Sequence, residues 1–275
     1  MNAVARGLLG DTSGRDYSRK LRLFNAFAAP ELREAISVLR LRPGMRVLDA
    51  GCGTGEALEW LGTAVAPTGL AIGLELSRIH ASVAAALGMV LQADLAHPPL
   101  RAASFDAVWC VNTLNHLRDP VAGIRTLMKL LRPGGRIAVG QSSLLPDMYF
   151  AWDSRLERVT NEAVREYYRN RYGLSELDLA GVRGIVGWLK EAPLANVTAR
   201  TLMIERTHPL AAADEAYLLE AILQGTWGER LRPYLAAEDF AELARLCDPR
   251  SPAFALHRAD FHFLQTFTVA VGELP

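Results

Sequence analysis

Three alternate glycines, Gly51, Gly53 and Gly55, follow a short apolar run in the stretch Val47-Leu48-Asp49-Ala50-Gly51-Cys52-Gly53-Thr54-Gly55-Glu56. Glycines at that spacing after a strand let the backbone pass close to a ligand, because a side chain there would occupy the ligand's space. Asp49 stands just before them, and Glu75 closes a second apolar run 24 residues after Gly51. An acidic side chain at that second strand end can accept hydrogen bonds from a ribose diol. A dinucleotide site normally reads GxGxxG and holds its pyrophosphate on the next helix N-terminus. GxGxG together with Asp49 suits a nucleoside ligand without phosphate. His116 is a further titratable group that could take a proton from a hydroxyl nucleophile, or could simply order the loop at a helix start.

These residues need elements to hold them, and the surrounding pattern supplies a succession of strands and helices. Arg46–Gly51 reads as a buried parallel strand, Glu56–Val65 as a helix with Leu58, Leu61 and Val65 on one face, and Leu70–Leu76 as a second strand. Ser77 can cap a helix running to Leu87; strands are expected at Met89–Ala93 and Phe105–Val111. A helix from Val121 to Leu131 is expected to stop at Arg132-Pro133-Gly134-Gly135 before a fifth strand, Arg136–Gly140. Such alternation implies a parallel sheet with helices on both faces. Beyond residue 142 come helical stretches at Trp152–Tyr172, Ser175–Lys190 and Ala212–Cys247, a sixth strand at Asn196–Glu205 and a last one at Phe261–Val271.

The composition sets bounds. With 275 residues, half of them hydrophobic, the chain can bury a large core without disulfides or metals. Lys plus Arg equals Asp plus Glu at 30 each, so no net field draws it to nucleic acid or anionic lipid. The three cysteines, Cys52, Cys110 and Cys247, are dispersed with no CxxC pair, which points to reduced thiols in a cytoplasmic protein and to no metal site. No run reaches the roughly 18 apolar residues of a membrane span, and no leader-like segment opens the sequence.

Five ordered blocks, VLDAGCGTG, Gly73-Leu74-Glu75-Leu76-Ser77, Gln92-Ala93-Asp94-Leu95, Phe105-Asp106-Ala107-Val108 and Leu131-Arg132-Pro133-Gly134-Gly135, resemble the class I S-adenosylmethionine-dependent methyltransferases, in particular the small-molecule group similar to ubiquinone and menaquinone methyltransferases. The resemblance covers about residues 40 to 142 plus the last strand. It implies a Rossmann-like α/β fold: a seven-stranded, mostly parallel sheet with an antiparallel last strand, helices on both faces and a helical lid insertion. One domain is expected over 1–275, with a flap at 1–40, a cofactor-binding core at 41–142, a lid region at 143–260 that includes the sixth strand, and the last strand at 261–271. The cofactor implied is S-adenosyl-L-methionine. Ala50, Gly51, Cys52, Gly53 and Gly55 would contact its methionine part, with Asp49 acting on the amino group; Glu75 would hold the ribose, Asp94 the adenine amino group with Leu76 and Leu95 on the ring faces, and Ser77 would belong to the same cofactor site. Cys110, Val111 and Asn112 would lie near the amine and sulfonium, and Tyr17 in the flap would approach the carboxylate. Asn115 and His116, with Tyr149 and Trp152 after the fifth strand, would face a small, hydrophobic or ring-containing substrate, with His116 as the base.

The acceptor would be an O, N or C atom of a metabolite, in a setting such as natural-product biosynthesis. The segment Asn112-Thr113-Leu114-Asn115-His116-Leu117 departs from the D/N-P-P-Y/F motif of base-modifying enzymes, so nucleic acid is not the expected partner. A homodimer stays open. Three rivals share parts of the pattern: a cyclase that binds the same cofactor without methylating, a nicotinamide oxidoreductase, and a non-catalytic sensor.

Overall fold

In the computed structural model, residues 15–142, 153–174 and 181–275 are described. Seven strands form one sheet in the order β3-β2-β1-β4-β5-β7-β6. The strands are β1 (Arg46–Ala50), β2 (Leu70–Glu75), β3 (Met89–Gln92), β4 (Phe105–Val111), β5 (Leu131–Ser142), β6 (Ala195–Thr207) and β7 (His262–Glu273). The pairs β3-β2, β2-β1, β1-β4 and β4-β5 are parallel. β7 runs antiparallel to both neighbours, β5 and β6. This is the seven-stranded Rossmann-like α/β architecture that the sequence predicts. The chain steps outward from β1 through β2 to β3 and then crosses to β4 on the other side of β1. Ligands of such sheets bind at this reversal, above the carboxyl ends of the strands.

Strict alternation on β1 sorts its side chains. Val47 joins a core on one face with Trp109 and Ala138, whereas Leu48 and Ala50 join the opposite core with Val108, Cys110 and Val139. The first core is roofed by α1 (Ser18–Phe27), α2 (Ala29–Ile36), α3 (Glu56–Val65) and residues of α6 (Ser154–Tyr172). The second takes α5 (Pro120–Met128) and α7 (Gly181–Glu191), through Ile124 and Leu127 and through Ile185 and Leu189. Thus α7, inside the stretch expected as lid, packs on the sheet. α4 (Arg78–Ala84) lies beside β2 and β3.

The N-terminal helices are tied to β6 by Arg206. Its guanidinium pairs with Glu31 at 2.8 Å and Asp214 at 3.0 Å, donates to the Phe27 carbonyl, and lies 4.8 Å from the centroid of the Phe27 ring.

Several boundaries depart from the sequence reading. The helix after Ser77 stops at Ala84 rather than Leu87, since Leu87 N–H bonds back only to Ala84 O and closes the last turn tightly. Arg132-Pro133-Gly134-Gly135 does not merely end a helix: α5 ends at Met128, and the tetrapeptide is an irregularity inside β5, where pairing shifts between Phe105 and Ala107. Gly134, at φ +75°, donates to Leu274 O at 2.9 Å, which knits the irregularity to the end of β7. The helical region 212–247 is not continuous. α8 (Ala212–Tyr217) runs into a π-helical segment, Leu218–Thr226, then a 3₁₀ turn, Glu229–Tyr234, and α9 (Ala237–Cys247). Gly225, Gly228 and Pro233 supply the breaks.

Candidate functional site

The carboxyl ends of β1, β2 and β4 bring the predicted residues together. Asp49, one residue before the end of β1, lies between its register partners Gly73 on β2 and Trp109 on β4. The turn that follows has Gly51, Gly53 and Gly55 at φ +84°, +53° and +94°, the left-handed region that side chains disfavour. At Gly51 a Cβ would also fall 2.2 Å from Thr113 Oγ1, so glycine is required there twice over.

Glu75 reaches across to this turn. Its carboxylate accepts from Gly53 N–H at 2.9 Å and from Ser77 N–H at 2.8 Å, fixing both the glycine turn and the entry to α4. Leu76, next in the chain, is 46% exposed although apolar, and Leu95 is buried. Ser77 caps α4 at His80 N–H. Asp94 accepts from Ala96 N–H at 2.9 Å in a local turn and stays open to solvent.

Asp49 is buried beside two other acidic groups. It is 3% exposed, and its Oδ2 has no hydrogen-bond partner among the described residues. Burial, then the charges of Glu75 and Glu56, push its carboxyl up to about 8. Glu56 is itself satisfied by Asn25 Nδ2 at 2.7 Å and Thr54 Oγ1 at 2.6 Å. Three carboxyl groups thus stand around one glycine turn, and one of them keeps an oxygen without a partner among the described residues.

At the end of β4, Asn112 adopts φ +51°, and its Oδ1 accepts from both Ser142 N–H and Ser142 Oγ–H at 2.9 Å. The side chain therefore locks β4 to β5, leaving main-chain groups at the site. Thr113 Oγ1 donates to the Val111 carbonyl at 2.9 Å. Ala50, Cys52 and Cys110 are packed, and burial raises both thiols far above their ordinary values, so neither is a nucleophile. Asn115 Oδ1 and His116 Nδ1 are buried on the 3₁₀ turn Leu114–His116 with no partner among the described residues. Burial lowers the His116 value, opposed by a ring N–H that donates to the Asn112 carbonyl, so the surroundings disfavour the imidazolium. Tyr17 lies at the start of α1, its N–H donating to His80 Nε2 at 3.1 Å. Tyr149 and Trp152 lie outside the described residues.

Sequence reasoning missed His80. It is buried on α4, holds the Tyr17 backbone, and places Nδ1 3.9 Å from Glu75. Its spacing with Ala81 and Ala84 on the inward face of a capped helix was the available signal. It also missed Thr113, whose fit over Gly51 depends on two separate strand ends. A groove of about 500 Å³ lined by Val38, Arg40, Arg136, Arg200 and Glu273 lies at the other end of the strands. There Arg136 is paired with Glu273 and Arg200 with Glu34, so it offers less unsatisfied chemistry. Among the described residues no group of His, Cys, Asp or Glu could hold a metal ion, and no helix is long and apolar enough to cross a membrane.

Residues 48–139 match the methyltransferase domain family. The segment carrying the glycine turn, Glu75, Asp94 and Asn112 is thus a methyltransferase-type domain core. Among curated proteins, the chain is 40% identical over 116 residues to 27-O-demethylrifamycin SV methyltransferase of Amycolatopsis mediterranei, covering 40% of this chain and 43% of that protein. It is 40% identical over 111 residues to the ubiquinone biosynthesis O-methyltransferase of Xanthomonas campestris, covering 38% and 46%. The matched stretch therefore spans less than half of each relative. Over nearly the whole chain, 98%, the fold resembles 60% of phosphoethanolamine N-methyltransferase 2 of Haemonchus contortus, solved with phosphomonomethylethanolamine and S-adenosylhomocysteine, at TM-score 0.53 and 15% identity.

Proposed function

We propose that this protein transfers a methyl group from S-adenosylmethionine to an O, N or C atom of a small, hydrophobic or ring-containing metabolite. The observation that carries the reading is the orphaned Asp49 carboxylate beside Glu75 and Glu56 at the sheet's reversal point. A cofactor with an ammonium and a sulfonium supplies the positive charge this cluster lacks, whereas a phosphate-bearing dinucleotide would be repelled. Glu75 has lone pairs left for a ribose diol after accepting two backbone N–H groups, and solvent-open Leu76 and Asp94 suit an adenine face and its amino group.

The bound cofactor supplies an electrophilic methyl group. The chain's own work is to align an acceptor with it and exclude water. His116, on the turn after β4 and with its proton affinity lowered by burial, is the candidate to take the acceptor's proton where that acceptor is a hydroxyl. Asn115 beside it would orient the same substrate, and Tyr17 would close the site from α1. The single-domain organisation, with flap, core and lid, belongs to this reading. So does a cytoplasmic location, which the three unbridged cysteines support.

Calorimetric titration with S-adenosylmethionine, S-adenosylhomocysteine and NAD tests the proposal. Selective binding of the first two, weakened at least tenfold in Glu75→Ala, is expected. Binding of NAD instead, or of nothing, overturns it. With a substrate in hand, product heavier by one methyl group separates transfer from cyclisation.

A further inference from the structure

α1 lies across the glycine turn along one stripe of its surface. Tyr17, Leu21 and Asn25 recur every fourth residue and so share a face. Tyr17 N–H donates to His80 Nε2 on α4 at 3.1 Å, Leu21 Cδ1 lies 3.4 Å from where a Gly53 Cβ would stand, and Asn25 Nδ2 donates to Glu56 on α3 at 2.7 Å. The helix has no side-chain cap at Tyr17, so an imidazole from another element holds the amide at its start. Beside this stripe, Phe24 and Phe27 pack on the Tyr217 ring at 5.8 and 4.3 Å, which fixes the later turns of α1 independently of His80.

His80 is a buried ring with two polar neighbours. It sits in the first turn of α4, which Ser77 caps, and is only 3% exposed. Because Nε2 accepts the Tyr17 N–H it bears no proton, and this geometry assigns the proton of the neutral ring to Nδ1. Nδ1 stands 3.9 Å from Glu75 Oε1, too far for a hydrogen bond but within reach of one after a shift of roughly 1 Å. Glu75 is the same carboxylate that accepts from Gly53 N–H and Ser77 N–H. A ligand hydroxyl that draws on Glu75 therefore acts on a group that faces His80, and His80 in turn holds α1.

We infer that His80 is a positioning residue that couples a ribose diol on Glu75 to the seating of the first turn of α1 over the glycine turn. An imidazole is a rigid plane, so a movement that tightens its Nδ1 contact with Glu75 also moves Nε2 against the Tyr17 amide. The coupling is reciprocal: a seated α1 steadies the ring and, through it, the carboxylate that grips the ligand. Without the ring, ligand still reaches Glu75 but leaves sooner, because α1 no longer closes on it. The inference rests on the methyltransferase reading for the identity of the ligand; the link from His80 to α1 stands without it.

Amide hydrogen exchange of the full chain, read by mass spectrometry with and without saturating S-adenosylhomocysteine, tests this. In the parent the ligand is expected to slow exchange about tenfold both at residues 51–55 and at residues 17–21. His80→Leu, of similar size but with no acceptor, should keep the protection at 51–55 and lose it at 17–21. S-adenosylhomocysteine should also dissociate from it about tenfold faster, with association within twofold, by stopped flow. His80→Gln, whose amide oxygen accepts the Tyr17 N–H, should restore both. Protection of β1 and β4 in the same spectra reports whether a variant is folded; if His80→Leu loses it, His80→Asn, polar but too short for Tyr17, replaces it. Ligand-induced protection at 17–21 that survives the uncoupling variant, or that His80→Gln does not restore, overturns the inference. Failure of the parent to bind S-adenosylhomocysteine overturns the methyltransferase reading instead. The anchor is then judged in the unliganded chain, where His80→Leu should exchange faster at 17–21 and equal rates overturn it.

Discussion

Asp49→Asn separates what the cofactor site needs from what the fold would prefer. In the unfolded chain this carboxyl ionises near the ordinary aspartate value, whereas in the folded chain it holds its proton up to about 8. Between roughly pH 4 and pH 8 the folded state therefore binds the extra proton, and stability falls as pH rises through that window. At about 1.4 kcal/mol per decade of displaced proton affinity, the loss above pH 8 is on the order of 5 kcal/mol, an upper figure because relaxation and water entry reduce it. Asparagine cannot ionise and escapes the loss. Thermal melts should show variant and parent close together near pH 5 and the variant higher at pH 8.5, by roughly 10 °C at about 2–4 °C per kcal/mol. The same substitution removes the anion facing the cofactor's positive charge, so S-adenosylmethionine affinity should fall at least tenfold. In the parent, binding at pH 7 should release close to one proton, read as a dependence of calorimetric heat on the buffer's ionisation enthalpy. A variant that melts lower than the parent at pH 8.5, or parent binding with no proton release, would refute the reasoning.

Other outcomes follow from the same geometry. Gly51→Ala places a Cβ 2.2 Å from Thr113 Oγ1 at φ +84° and should abolish cofactor binding, while Gly173→Ala, at φ +67° in open space, should cost only about 1 kcal/mol of stability by chemical denaturation. Arg206→Met leaves Glu31 and Asp214 without their shared cation and should destabilise the fold by about 3 kcal/mol in urea titration; a change under about 1 kcal/mol would show the pairs to be ornamental. If His116 is the base, kcat/KM falls only on an acidic limb below the ordinary imidazole range, because burial lowers its value, and His116→Gln should lose both that limb and at least a hundredfold in rate. An unchanged pH profile in that variant removes His116 from the chemistry.

The proposed cofactor site was legible in outline because its signals are local. Gly51, Gly53, Gly55 and Asp49 sit within seven consecutive positions, and each reports a backbone requirement that neighbours in sequence impose. Glu75 was readable because a parallel sheet puts successive strand ends side by side. What escaped depends on distant segments meeting. Thr113 reads as an ordinary loop residue until the chain leaving β4 sets it over Gly51. The irregularity in β5 was hidden because Pro-Gly-Gly reads equally as a helix stop or as a bulge, and only pairing with β4 and β7 decides. The π-helical segment was invisible for a similar reason. Its apolar spacing, with Leu218, Ala221 and Ile222 buried, is that of an ordinary helix, and one wider turn changes which residue faces inward without changing the composition.

The antiparallel β7 has a consequence for biosynthesis. It bonds to β5 on one side and β6 on the other, yet of the seven strands in the sheet it is the last to be made. Until then β5 and β6 each present a row of unpaired amides and carbonyls, and β6 has no other neighbour in the sheet. The nascent chain must keep these two edges from each other and from other chains while the intervening helices are made. Its closing strand acts late, as a zip that joins two half-finished pieces, so conditions that slow synthesis between β6 and β7 should favour aggregation over activity.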